Sequence, residues 1–161
     1  MTTIKIIDTC TLINIFERIE VDLNPCMKEY NLVTTDQVIA EYTRKIPREI
    51  PGHLSVVGMR EEDKAIMEEM EYLFPRLGIG ERSVFVSALN AVSSGDKVVI
   101  LSDDIKALKN FSKIASSDSM CKRFPKSRDI VWGNTLSMIN KFKNCGKLST
   151  EQTNIIHKNL N

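Results

Sequence analysis

No run in this chain approaches the roughly 18 consecutive apolar residues that a membrane-spanning helix needs, which excludes a transmembrane reading. A secretory leader would need a basic start and a longer apolar stretch. Here Met1-Thr-Thr-Ile-Lys-Ile-Ile-Asp8 meets a carboxylate at once, so a cytoplasmic protein is expected. Cysteine is sparse and scattered: Cys10, Cys26, Cys121 and Cys145 include no Cys-x-x-Cys pair. Reduced thiols are expected, and a zinc site is not. The two histidines, His53 and His157, lack a partner at ligand spacing and are expected on an exposed loop and tail. Strong charge of one sign is missing too, since the net charge is +1, so nothing draws the whole molecule toward nucleic acid. No internal repeat, low-complexity tract or long linker divides the 161 residues, and one domain over 1–161 is expected, long enough to bury a core.

What is present alternates. Ile4-Lys-Ile-Ile reads as a strand that stops at Asp8, and Thr11 to Arg18 as a helix. Asn31-Leu-Val-Thr is a weaker strand, followed by a helix capped by Thr35 or Asp36, with Val38, Ile39, Tyr42 and Ile46 at helical spacing. Pro47, Pro51 and Gly52 break it; His53 to Met59 is a short strand or a loop, and Glu61 to Phe74 an amphipathic helix. A turn through Pro75 and Gly78-Ile-Gly80 precedes a helix from Glu81 to Val92, which Ser93-Ser-Gly95 ends. Lys97 to Ser102 reads as a buried strand leading to Asp103-Asp104 and another helix. Residues 112–128 are ambiguous; a short strand is expected at Asp129-Ile-Val, with helices after Gly133 and after Ser149. Strands alternating with helices indicate an α/β fold with a mainly parallel sheet and helices on its faces.

Carboxylates fall where packing alone does not ask for them. Asp8 directly follows the first strand, and Asp103 and Asp104 directly follow a later one. In a parallel sheet both places lie on the carboxyl edge, where such folds seat ligands. Glu41, one residue before Tyr42, and Glu81, ahead of Val84, Phe85 and Ala88, border the inward faces of their helices. Each acid taken singly has a bland explanation, as a helix cap or a favourable charge at a helix N-terminus. Together they repel one another unless a cation joins them, and oxygen-only ligands suit Mg²⁺ or Mn²⁺. Such an ion can activate water and stabilise charge on a phosphoryl group. From Lys106 to Arg128 the basic residues Lys106, Lys109, Lys113, Lys122, Arg123, Lys126 and Arg128 face only Asp118, and Lys106, Lys109 and Lys113 are expected to grip a phosphate backbone. The acidic stretch Glu61 to Glu71 is expected to be a solvated face, and Trp132 a core residue rather than a base-stacking platform.

These segments resemble the PIN-domain family. Ile6-Ile-Asp8-Thr-Cys-Thr-Leu-Ile13 resembles its opening Asp-Thr-Asn-x-Leu-Ile motif, and Val33-Thr-Thr-Asp-Gln-Val-Ile-Ala-Glu41 the segment with the second acid. Leu77-Gly-Ile-Gly-Glu81-Arg-Ser-Val-Phe-Val-Ser-Ala88-Leu is similar to the helix with the third, and Val98-Val-Ile-Leu-Ser-Asp103-Asp104 to the strand delivering the fourth. Val131 to Leu148 resembles the C-terminal helix of a subgroup described only as nucleic-acid binding. The resemblance implies a three-layer α/β/α sandwich and Mg²⁺- or Mn²⁺-dependent cleavage of RNA. It places Asp8, Glu41, Glu81 and Asp104 at the site, Asp103 as an alternative metal ligand, and Thr9 as a polar neighbour. Many family members are VapC-type toxins covered by an antitoxin, and dimers are common among them. Three positions depart from the pattern: Cys10 stands for the usual Asn, Glu81 for Asp, and Lys106 for a further acid. The alternative is a catalytically silent PIN-like module that binds RNA or a protein.

Overall fold

The computed structural model describes residues 3–27, 30–47 and 54–160, so His53, Pro51 and Gly52 lie outside the described residues. Five parallel strands form the centre: β1 (Thr3–Ile7), β2 (Leu32–Thr35), β3 (Ser55–Val57), β4 (Lys97–Leu101) and β5 (Val131–Gly133), in the order β3-β2-β1-β4-β5. The expected mainly parallel sheet is thus wholly parallel among the described strands, with helices on its faces in an α/β/α arrangement. From β1 the chain steps outward through β2 and β3, then returns to β4 on the other side of β1. The reversal of strand order therefore falls between β1 and β4. Their register pairs Ile7 with Leu101, which sets Asp8 and Ser102 side by side just past the strand ends.

The helices follow from apolar spacing and caps. Asp8 caps α1 (Thr9–Ile13), so this helix starts two residues earlier than the sequence suggested, and its next turn, Asn14–Arg18, is wound as a π-helix. A single turn, α2 (Asn24–Met27), follows. Thr35 caps α3 (Asp36–Lys45) by accepting the Val38 N–H, as its position predicts. Then come α4 (Glu61–Leu73) and α5 (Ile79–Ser93). In α5 every residue from Arg82 to Leu89 is buried, which marks a helix enclosed on all sides. It lies against β1, β2 and β4. Gly95, at φ +96°, then turns the chain in a left-handed conformation that suits glycine. The remaining helices are α6 (Ile105–Ala115), α7 (Asp118–Arg123), α8 (Thr135–Asn144) and α9 (Thr150–Leu160).

Alternation along β1 divides the core. Ile4 and Ile6 face Ser87 and Ala91 of α5, while Lys5 points to the opposite face over the Tyr30 ring. Lys5 is buried on this central strand yet satisfied, because its ammonium donates to the Tyr30 carbonyl at 2.8 Å. Burial, helped by Lys141, lowers its pKa. Trp132 stacks on Phe111, which stacks in turn on Phe85, as a core reading requires. Among the described residues no helix is long and apolar enough to cross a membrane, and the four cysteines are free thiols.

Several expectations need correction. β5 begins at Val131, two residues later than expected, because Ser127–Asp129 forms a 3-10 turn first. α5 begins at Ile79 rather than Glu81, since Glu81 reaches back to the Gly78 N–H from the third helical position. The acidic stretch is solvated except at Asp63, whose buried carboxylate is held by the Arg60 guanidinium and by Asn90. His157 is no exposed tail residue: it sits half-buried on α9, and its buried Nε2 has no partner among the described residues.

Candidate active site

The acidic edge is assembled from helix starts. Asp8 is 3% exposed; its Oδ1 accepts the Thr11 N–H at 3.0 Å and its Oδ2 accepts the Ser102 hydroxyl. It is therefore a helix cap and a buried acid on the carboxyl edge at once, so the bland and functional readings of its position coexist. Asp104 is a cap as well: its Oδ1 accepts the N–H groups of Lys106 and Ala107 at 2.9 and 3.1 Å, and its Oδ2 has no partner among the described residues. The Ser102 hydroxyl oxygen also accepts the Asp104 N–H at 3.2 Å, which fastens the two strand ends together.

Glu41 arrives from α3 and is held by two donors, the Thr9 hydroxyl at 2.6 Å and the Gly80 N–H at 3.1 Å. A side chain on Gly80 would leave no room for this, because a Cβ there would sit 2.7 Å from Glu41 Oε1. Next to Gly80, Glu81 accepts the Gly78 N–H at 3.4 Å through Oε2, and its Oε1 has no partner among the described residues. The α5 N-terminus is fixed by a short relay. Ser83 donates to the Gly80 carbonyl at 2.6 Å, so Thr35 at the end of β2 donates to Ser83, also at 2.6 Å.

Electrostatics agree with this geometry. Burial raises the Glu81 pKa; the Gly78 N–H opposes the rise, and the charges of Asp104, Asp8 and Glu41 reinforce it. Burial likewise raises Asp8 against its Ser102 and Thr11 hydrogen bonds, with a further push from Asp103. Partial burial, and then the charges of Asp8, Asp103 and Asp104, push the nearby Cys10 thiol up. It is not poised as a thiolate nucleophile.

Asp103 and Asp104 part company. Asp103 accepts three bonds, from the Thr135 N–H at 2.8 Å, the Thr135 hydroxyl and the Asn14 amide. Its carboxylate fastens α8 to the π-turn, whereas the charge of Asp104 is felt at Glu81. Lys106, Lys109 and Lys113 are exposed along α6 and form no ion pair among the described residues. At 1.5 Å rise per residue they make a basic track about 10 Å long leading away from Asp104.

The donors at this edge are all carboxylate oxygens, which fits a hard cation such as Mg²⁺ or Mn²⁺. As they stand, no three His, Cys, Asp or Glu side chains among the described residues are grouped closely enough to hold a metal ion. Each carboxylate is engaged by a local donor, yet Glu81 and Asp104 each keep an oxygen without a partner among the described residues. The sequence did not single out Ser102, Thr11, Asn14, Thr135 or Gly80 for these roles. Of these, only Ser102 carried a signal, its place beside Asp8 once β1 and β4 are paired in register. No known protein family, curated protein or solved structure matches the chain.

Proposed function

We infer that this protein is a Mg²⁺- or Mn²⁺-dependent endoribonuclease of PIN type that hydrolyses RNA phosphodiester bonds at the edge between β1 and β4. The observation that carries the reading is a run of hydrogen bonds, Asp104 to Ser102 to Asp8 and Thr9 to Glu41 to Gly80, which the peptide links Asp8-Thr9 and Gly80-Glu81 join to one another and to Glu81. It gathers acids from four separate segments at the point where strand order reverses. Asp8, Glu81 and Asp104 would hold the ion, and Thr9 positions Glu41 beside them. A bound divalent ion supplies a polarised water and stabilises the charge that develops on phosphorus. The lysines of α6 hold the RNA backbone. Antitoxin binding belongs to the same reading, because a protein covering this edge would silence it, and so does dimer formation. The test is incubation of a labelled single-stranded RNA with the protein in Mn²⁺ and in chelator. Cleavage only with Mn²⁺ is the expected result.

A second reading, a silent RNA- or protein-binding module, is favoured by the acids' engagement with local donors and by Lys106 in place of a further acid. RNA retention without cleavage in Mn²⁺ would select it.

Two variants probe the parts separately. Gly80→Ala should leave the melting temperature within a few degrees of the parent, since the obstructing atoms belong to a flexible side chain and alanine favours a helix by about 1 kcal/mol. Cleavage should nevertheless fall about 10- to 100-fold, as for loss of a supporting contact at a metal site. Parental cleavage by Gly80→Ala would remove Glu41 from the site. Charge reversal at Lys109 and Lys113 should weaken RNA binding and reduce the slope of log affinity against log salt by about 0.7 per lost phosphate contact. An unaltered slope would mean that RNA runs elsewhere.

A further inference from the structure

The basic stretch from Lys106 to Arg128 is divided by the fold. Arg123 pairs with Glu69 of α4. Lys126 turns to a cavity at the amino ends of β4 and β5, the opposite end of the sheet from the acids, and Asp129 goes with it. Arg128 comes back to α6 instead. Its guanidinium donates to the carbonyl of Ser116, the C-cap of that helix, at 3.5 Å. It thereby extends the row of Lys106, Lys109 and Lys113, all exposed and without an ion pair among the described residues. From Lys106 to Ser116 the row covers about 15 Å, at 1.5 Å per residue. The other flank of the acidic edge has the opposite sign. Beside Gly80 and Glu81, a hollow of about 330 Å³ is lined by Ile79 and Arg82 of α5 and by Lys64, Glu68 and Glu71 of α4. Its two cations are already neutralised, Arg82 by Glu71 at 3.2 Å and Lys64 by Glu61 at 3.1 Å. Glu68 has no ion-pair partner among the described residues, so a phosphate backbone meets net negative charge there.

We propose that RNA is held on one side of the scissile phosphate only, by the phosphates that run along Lys106, Lys109, Lys113 and Arg128, and that the strand beyond the cut is left ungripped. This rests on the ribonuclease reading for the position of the cut. At about 3.4 Å per stacked nucleotide, the track matches about four nucleotides, one for each of its cations. Asp104 caps α6 at the end where the track begins, so the gripped segment leads directly away from the acids. On the α4 flank the acidic side chains discourage a second grip. The substrate is therefore an RNA with a run of nucleotides on one side of the cut, and it needs almost none on the other.

The test has a binding arm without metal and a cleavage arm in Mn²⁺. Fluorescence anisotropy of labelled adenosine oligomers should show affinity climbing to about five nucleotides, which supply about four internal phosphates, and levelling off there. At that length log affinity should fall with log salt at a slope of about −3, from roughly 0.7 per phosphate. Arg128→Glu should bring the slope to about −2 and the plateau about one nucleotide shorter. Lys126→Glu, the same change of charge in the same stretch, should do neither. Affinity still climbing at twice the plateau length, or equal losses in the two variants, overturns the track. In Mn²⁺, cuts in a longer end-labelled adenosine oligomer should come within about one nucleotide of one end and stop about four short of the other. Cuts equally close to both ends overturn the one-sided grip. An active nuclease whose RNA binding ignores Arg128→Glu overturns the track alone. A plateau that depends on Arg128 in a protein that never cleaves RNA supports the track and overturns the nuclease.

Discussion

Asp8→Asn should lower Mn²⁺-dependent RNA cleavage by about a hundredfold or more, the upper range for lost support at a metal site, while the fold persists. Asparagine caps a helix as well as aspartate does, so the Thr11 N–H keeps its acceptor. The Ser102 hydroxyl can rotate to accept from the new amide instead of donating to a carboxylate. What disappears is a buried negative charge beside three other acids, so the metal-free variant should melt at or above the parent's temperature. Circular dichroism melts and a cleavage time course on the same preparation measure both halves. An Asp8→Asn protein that cuts RNA at the parental rate would end the metal-nuclease account.

Mn²⁺ itself should raise the melting temperature by several degrees. An ion that binds only the native state adds about 2.7 kcal/mol at a hundredfold excess over Kd. A domain of this size gains roughly 2–4 °C for each kcal/mol. Asp104→Asn should lose this response while its metal-free form melts near the parent, because an amide oxygen still caps α6. Asp103→Ala should do the reverse. It frees three donors at Asn14 and Thr135, costing about 1–3 kcal/mol, yet keeps the Mn²⁺ response. If Asp103→Ala loses the response and Asp104→Asn keeps it, the two carboxylates have exchanged roles.

The raised carboxyls give the metal-free protein a defined pH dependence. Burial holds Asp8 and Glu81 above their ordinary values of 3.8 and 4.5, so the native state keeps their protons to higher pH than the unfolded chain does. Where the native state binds more protons, stability falls as pH rises. Their contribution should therefore decline from those ordinary values up through the raised ones. Asp63, held below 3.8 by Arg60 and Asn90, acts oppositely and only at lower pH, where its stabilisation is lost as it protonates. Melting curves across this range should show Mn²⁺ flattening the decline above pH 4.5. A decline of the same slope with and without Mn²⁺ would mean that the ion does not meet these acids.

Features that depend on local chain chemistry were legible in the sequence. The strand ending at Asp8, the Thr35 cap, the apolar stripe of α4 and the strand before Asp103 each announce themselves through spacing and neighbours. What the sequence hid depends on partners brought together by folding. Asp63 looks like one more solvated acid until Asn90 is set beside it. Gly80 looks like half of a turn until the Glu41 carboxylate is placed against its α-carbon. Asp103 and Asp104 look alike in the sequence and differ only once α8 is in place, because Thr135 supplies two of the donors that occupy Asp103. The π-turn at Asn14 had no local signature, since a π-helix uses the same residues as an α-helix and differs only in its hydrogen-bond register.

A crystal structure of the protein grown in Mn²⁺, with an anomalous difference map, tests the central claim most directly. The account predicts a peak beyond the ends of β1 and β4, contacted by carboxylate oxygens of Asp8, Glu81 and Asp104, with Glu81 rotated away from Gly78 to reach it. A map with no peak at that edge at millimolar Mn²⁺, and with Glu81 still bonded to the Gly78 N–H, would contradict it.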